Sequence, residues 1–195
     1  MIDSYLDRLY EGYLLSDKTI SVHLDDFLSG KKKKLLIVGV MGSGKTTLGE
    51  TLSKKLKVKL YSLDSFWLKI KEQLFKEKEY KDLNEDENNR LFEAFENNIF
   101  DILKRNERCI IEGINLASPK FRSLVLKQAI IVLGISSLRA GIRASIRNRS
   151  TEDNKGLLTY YLVIKKNMKN VEPLVNKLRK DIINMFGDNV KEYKE

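Results

Sequence analysis

Residues 35–50 read LLIVGVMGSGKTTLGE. A buried-looking apolar run, Leu35 to Val38, opens into a stretch with four glycines, one lysine and two threonines. Each glycine loses more backbone freedom on folding than any other residue, so a cluster of them needs a reason. Gly39-Val40-Met41-Gly42-Ser43-Gly44-Lys45-Thr46 matches G-x-x-x-x-G-K-[ST] in full. In that pattern a strand feeds a turn whose bare N–H groups face an anion at the start of a helix. The segment TTLGETLSKKLK has the pattern of that helix. Gly39, Met41, Gly42, Ser43, Gly44, Lys45, Thr46 and Thr47 are therefore read as nucleotide-binding, with Lys45 reaching the β- and γ-phosphates and the Thr46 hydroxyl placed for Mg²⁺. Gly49 sits inside the helix, where close packing on the sheet is the expected reason for it.

Outward from this loop, short apolar runs alternate with helical patterns. KLLIVGV, VKLYSL, RCIIEG and QAIIVLGI read as four strands, and DNVKEY near the C-terminus reads as a fifth. RLFEAFENNIFDILKR puts Leu91, Phe95, Ile99 and Ile102 on one helical face. SLRAGIRASIRNR reads as an arginine-rich helix, and a long helix starts at about Leu157. Two amphipathic helices are expected before the loop, the second from about Asp17 to Ser29, with Ser16 capping it and Gly30 ending it. The run Lys31 to Lys34 reads as a loop entering a strand. Continuous apolar strands alternating with helices predict an α/β fold, a P-loop NTPase three-layer sandwich with a mostly parallel central sheet and helices on both faces. Residues 1–30 are read as an N-terminal helical addition and residues 31–195 as the catalytic domain, with residues 66–105 as acceptor-binding helices and residues 137–156 as an arginine-rich lid.

Composition bounds the function. The chain has 195 residues and a net charge of +9, from 36 basic and 27 acidic side chains. That length suits one domain, and the charge favours phosphorylated partners, nucleotides or nucleic acid. The longest apolar stretch is too short to span a bilayer, and the first residues lack a secretory pattern. A single cysteine, Cys109, allows no internal disulfide and points to the cytoplasm. One histidine, His23, beside one cysteine argues against zinc. Few prolines and many Lys, Asn and Ile fit an AT-rich genome, bacterial or phage. Nothing in the sequence specifies an oligomeric state.

Three features outside the loop carry chemistry. Asp64 in LYSLDSFW follows the second strand, on the ligand side of an open α/β sheet, where a carboxylate can take the proton of a hydroxyl. Glu112 ends the strand RCIIEG and is placed to hold Mg²⁺ directly or through water. Arg139, Arg143 and Arg147 are spaced four apart, drifting only about 40° per step around a helix, and Arg149 follows. Such a cationic face can clamp triphosphate oxygens. Phe66, Trp67 and Tyr80 are read first as core packing, with stacking on a base or sugar as the alternative.

The trio GVMGSGKTT, LDSFW and IIEGI, followed by the arginine-rich segment, resembles the small P-loop kinases: the uridine kinase and phosphoribulokinase group in flavour, gluconate and shikimate kinases in the spelling of the loop, and polynucleotide 5′-kinases in layout. The resemblance spans roughly Leu35 to Arg149. It implies ATP and Mg²⁺, a base at Asp64, and lid arginines among Arg143, Arg147 and Arg149, with Lys45, Asp64, Arg143 and Arg147 catalytic. The expected reaction is transfer of the γ-phosphoryl of ATP to a small hydroxyl- or phosphate-bearing acceptor, first a nucleoside or nucleotide. The alternatives are a nucleic-acid hydroxyl as acceptor, or a nucleotide-binding regulatory or toxin-like module.

Overall fold

In the computed structural model, residues 19–76, 78–134 and 156–193 are described, with side chains in the last segment described from residue 169. The elements in chain order are β1 (Thr19–Val22), α1 (Leu24–Leu28), β2 (Lys34–Val38), α2 (Lys45–Leu56), β3 (Lys59–Ser62), α3 (Leu63–Leu74), α4 (Glu85–Lys104), β4 (Cys109–Glu112), α5 (Arg122–Val125), β5 (Ala129–Val132), α6 (Gly156–Phe186) and β6 (Lys191–Tyr193).

The six strands form one sheet in the order β3-β4-β2-β5-β1-β6. β3, β4, β2 and β5 are mutually parallel. β1 runs antiparallel to β5 and to β6. The fold is thus α/β with a mostly parallel central sheet, as the alternating pattern predicts.

Side chains alternate across each strand, so two cores form, one per face. Leu36, Val38, Ile111, Ile130 and Val132 pack with Leu91, Phe95 and Ile99 of α4 and Leu178 and Ile182 of α6. Leu35, Ile37, Ile110, Ala129 and Ile131 pack with Leu48 and Leu52 of α2 and with Leu24 and Phe27 of α1. Strands apolar on every residue are what two covered faces require. α4 starts at a reciprocal cap: the Glu87 amide donates to Asn84 Oδ1 at 2.9 Å, and the Asn84 amide donates to Glu87 Oε2 at 3.1 Å. The lysine run does lead into a strand. Lys34 itself is buried at the start of β2, and its ammonium donates to the Arg105 carbonyl. Gly49 packs as expected, since a Cβ there would lie 3.0 Å from Leu60 Cδ1 and 3.7 Å from Glu112 Cγ.

One expectation fails. The helix expected from Asp17 to Ser29 is a strand over Thr19–Val22 followed by a helix of only five residues, Leu24–Leu28. Gly30 does follow that helix. The polar residues of β1 are held by distant partners: the Gly134 amide donates to Thr19 Oγ1 at 2.8 Å, and Ser21 Oγ and the Tyr193 hydroxyl share a hydrogen bond of 3.0 Å. Tertiary pairing overrides the local pattern. The first leading helix and Ser16 lie outside the described residues.

Candidate active site

The glycine-rich loop joins β2 to α2. Gly42 and Gly44 have φ of +79° and +89°, a region that side chains other than glycine rarely enter. Gly44 is the residue immediately before α2, so the loop turns and delivers its amides to the helix start in one step. Inside the loop the Ser43 amide donates to the Val40 carbonyl at 3.1 Å. Ser43 and Lys45 are buried, whereas Met41 is exposed. Ser43 Oγ is enclosed and has no hydrogen-bond partner among the described residues.

The sheet register brings the other two acids to the same end. Glu112 at the tip of β4 pairs with Ile37 of β2 on one side and Ser62 of β3 on the other. Gly39 lies two residues beyond Ile37, and Asp64 lies two residues beyond Ser62. The carboxylates and the loop therefore sit past the C-terminal ends of three adjacent strands, the ligand end of such a sheet. Glu112 is fully buried. Its Oε1 accepts a hydrogen bond from Thr46 Oγ1 at 3.2 Å, while Oε2 is enclosed without a partner among the described residues. A buried carboxylate oxygen without a donor is costly unless a cation or water completes it. The pair of Thr46 and Glu112 is an oxygen-donor set suited to a hard divalent ion such as Mg²⁺.

Asp64 is exposed in the first turn of α3. Ser62 holds the cap position of that helix, so Asp64 is not its cap residue. Arg139, Arg143, Arg147 and Arg149 lie outside the described residues, as does most of the expected lid at residues 137–156.

The long helix expected from about Leu157 is α6, and it brings to the loop residues that the sequence does not single out. Glu172, Asn176 and Arg179 line a cavity of about 30 Å³ with Val40 of the loop and Leu133 and Gly134 beyond β5. Arg179 also pairs with Glu192 of β6 at 3.7 Å. Their spacing marks one face of a helix, but only the folded chain puts that face against the loop.

A strand–glycine loop–helix unit in a mostly parallel sheet, with a buried lysine and an acid on the neighbouring strand, defines a P-loop nucleotide-binding protein. Residues 35–154 match the AAA domain family AAA_18, and the chain belongs to that family. Solved structures that the chain is similar to include two shikimate kinases and a gluconokinase. A shikimate kinase from Bacteroides thetaiotaomicron is 16% identical, with a TM-score of 0.46, over 78% of this chain and 96% of that one. A shikimate kinase from Acinetobacter baumannii in complex with shikimate is 17% identical, with a TM-score of 0.48, over 75% and 80%. A gluconokinase from Sinorhizobium meliloti 1021 is 14% identical, with a TM-score of 0.41, over 80% and 98%. A search of curated proteins gave no match.

Proposed function

We propose that the protein is an ATP-dependent kinase that moves the γ-phosphoryl group to the hydroxyl of a small acceptor, first of all a nucleoside or nucleotide. The observation that carries this is the shared end of β2, β4 and β3, where the loop, Glu112 and Asp64 follow in register. A nucleotide-holding loop needs only its own residues. An exposed carboxylate one strand beyond the metal-type acid is what phosphoryl transfer adds.

In this reading the loop amides and Lys45 hold the triphosphate, and the enclosed Ser43 hydroxyl has room to donate to it. Met41 and Thr47 flank the same phosphates. Thr46 and Glu112 would hold Mg²⁺, whose charge would offset that of the triphosphate. Asp64 takes the proton of the acceptor hydroxyl as the new O–P bond forms. The bond from the γ-phosphorus to the β,γ-bridging oxygen breaks, and ADP leaves. Arg143 and Arg147, with Arg149, are assigned to the lid and to the charge of the moving group. In this reading the catalytic domain takes in residues 31–195 together with β1 (Thr19–Val22), which the sheet places between β5 and β6, and the cytoplasm is its place of work. Among the described residues no helix is long and apolar enough to cross a membrane.

The test is transfer of label from γ-³²P-ATP across nucleosides, nucleotides, sugars, shikimate, gluconate and oligonucleotides. Transfer to one class with little hydrolysis in its absence supports the reading. Robust hydrolysis with no labelled acceptor would mark the protein as an ATPase or switch.

A further inference from the structure

The helices α3 and α4 carry an aromatic cluster that core packing does not use up. Trp67 is half-buried. Its ring lies edge-on to the buried Phe95 at 5.1 Å and 88°, which fixes it. Around it stand Phe92 at 4.8 Å and Tyr80 at 6.1 Å. Phe92 is 46% exposed and Tyr80 is 52% exposed. Leu68, the next residue on α3, is 66% exposed.

This surface adjoins the reacting end. Asp64 precedes Trp67 by three residues and Leu68 by four, so all three share one face of α3. The rise from Asp64 to Trp67 is about 4.5 Å, a little under one helical turn and roughly the width of a sugar ring. The charge of the segment narrows the occupant further. Between Leu63 and Lys104 there are eleven acidic and seven basic residues, in a chain whose net charge is +9. Lys78 pairs with Glu87 at 2.5 Å and Lys81 with Glu79 at 2.7 Å inside the segment, and Lys120 from outside pairs with Glu96 at 2.8 Å, which still leaves the segment net acidic. A phosphate-bearing acceptor or a nucleic-acid strand would meet a net negative surface here.

We propose that Trp67, Tyr80 and Phe92 form a ring-stacking platform that selects an uncharged acceptor bearing a flat unsaturated ring, an unphosphorylated nucleoside, with its hydroxyl at Asp64. The proposal rests on the kinase reading above and narrows it: nucleotides and nucleic-acid ends are disfavoured. Ring-on-ring stacking tolerates different bases, because each has a π face.

Trp67 is the sole tryptophan of the chain, so its fluorescence reports the platform without any turnover. The experiment titrates adenosine, cytidine, guanosine and thymidine against the full chain saturated with a non-hydrolysable ATP analogue and Mg²⁺. Ribose, shikimate, nucleoside monophosphates and an oligothymidylate serve as comparisons. The expected result is saturable quenching by one or more nucleosides and none by ribose or shikimate. Tyr80→Ala and Phe92→Ala, both at exposed positions, should weaken that quenching by about fivefold or more each. In turnover the same variants should raise KM for the nucleoside with kcat within about twofold, since they remove binding common to ground and transition states. No quenching by any nucleoside, quenching indifferent to both substitutions, or quenching only by the phosphorylated comparisons overturns the platform. Quenching by nucleosides with no label ever transferred from ATP would instead leave the platform standing and remove the kinase.

Discussion

Thr46 Oγ1 donates to Glu112 Oε1 across 3.2 Å, tying the first turn of α2 to the tip of β4. The other oxygen of the same carboxylate is enclosed and, among the described residues, unpartnered. The contact links the phosphate loop to the neighbouring strand through the two side chains best suited to a divalent ion. Glu112→Gln keeps the shape and an acceptor for Thr46 but removes the charge. The Mg²⁺ concentration for half-maximal turnover should rise about tenfold or more, the equivalent of about 1.4 kcal/mol. Urea unfolding without nucleotide should change little or move towards greater stability, because a buried charge has been removed. An unaltered Mg²⁺ requirement would take Glu112 out of the metal site.

Asp64→Asn should lower kcat by roughly 10²–10⁴, the usual range for a lost general base. The affinity for ATP, read by isothermal titration, should stay within about twofold, because the proposed function puts Asp64 on the acceptor side of the site. The residue is exposed, so the fold should be unaffected. Full turnover in this variant would leave the acceptor hydroxyl without its assigned base.

Gly113 follows Glu112 directly, and a Cβ on it would lie 2.7 Å from Leu63 Cβ. Neither atom can rotate away, so the tip of β4 and the start of α3 would have to separate. Gly113→Ala should cost about 1–3 kcal/mol in denaturant unfolding. It should also lower kcat more than it weakens ATP binding, because Asp64 is the next residue after Leu63. Wild-type stability in this variant would show that the contact relaxes freely.

Cys109 is wholly enclosed in the sheet, and burial pushes its thiol up to about 11. At pH 8 it should resist thiol reagents in the folded protein and react at once in denaturant. The sign for stability follows. Unfolded, the thiol loses its proton near 9, while the folded protein keeps it. The unfolded state therefore binds fewer protons between those values, and stability should fall as pH rises from about 9 to 11, by at most about 1.4 kcal/mol per pH unit from this group. Cys109→Ala should flatten that part of the profile. An unchanged slope would assign the alkaline loss to other groups.

The central strands could be read from the sequence because both of their faces are covered. Leu35–Val38 and Ala129–Leu133 are continuous apolar runs, the first ending at Gly39 and the second at Gly134. The loop was legible for a related reason: its glycines, lysine and threonine form a local pattern with a local cause. Asp64 and Glu112 could be placed because each follows a recognisable strand end. β1 could not. Thr19 and Ser21 alternate with Ile20 and Val22, but their hydroxyls are matched by Gly134 and Tyr193, partners 115 and 172 residues away. No window around Thr19 contains that information, and the neighbouring Leu24 and Phe27 gave the segment a helical period. The face of α6 that meets Val40 was hidden in the same way. Glu172, Asn176 and Arg179 show a helix face in the sequence, but what that face meets is decided by tertiary packing.

The most direct test of the account is a single-turnover experiment with γ-³²P-ATP, Mg²⁺ and the nucleoside that quenches Trp67 most strongly. The account predicts label on the nucleoside hydroxyl at a rate that Asp64→Asn reduces by roughly 10² or more, with little free phosphate when the nucleoside is omitted. Free phosphate released equally fast with and without the nucleoside, and no labelled nucleoside, would contradict it.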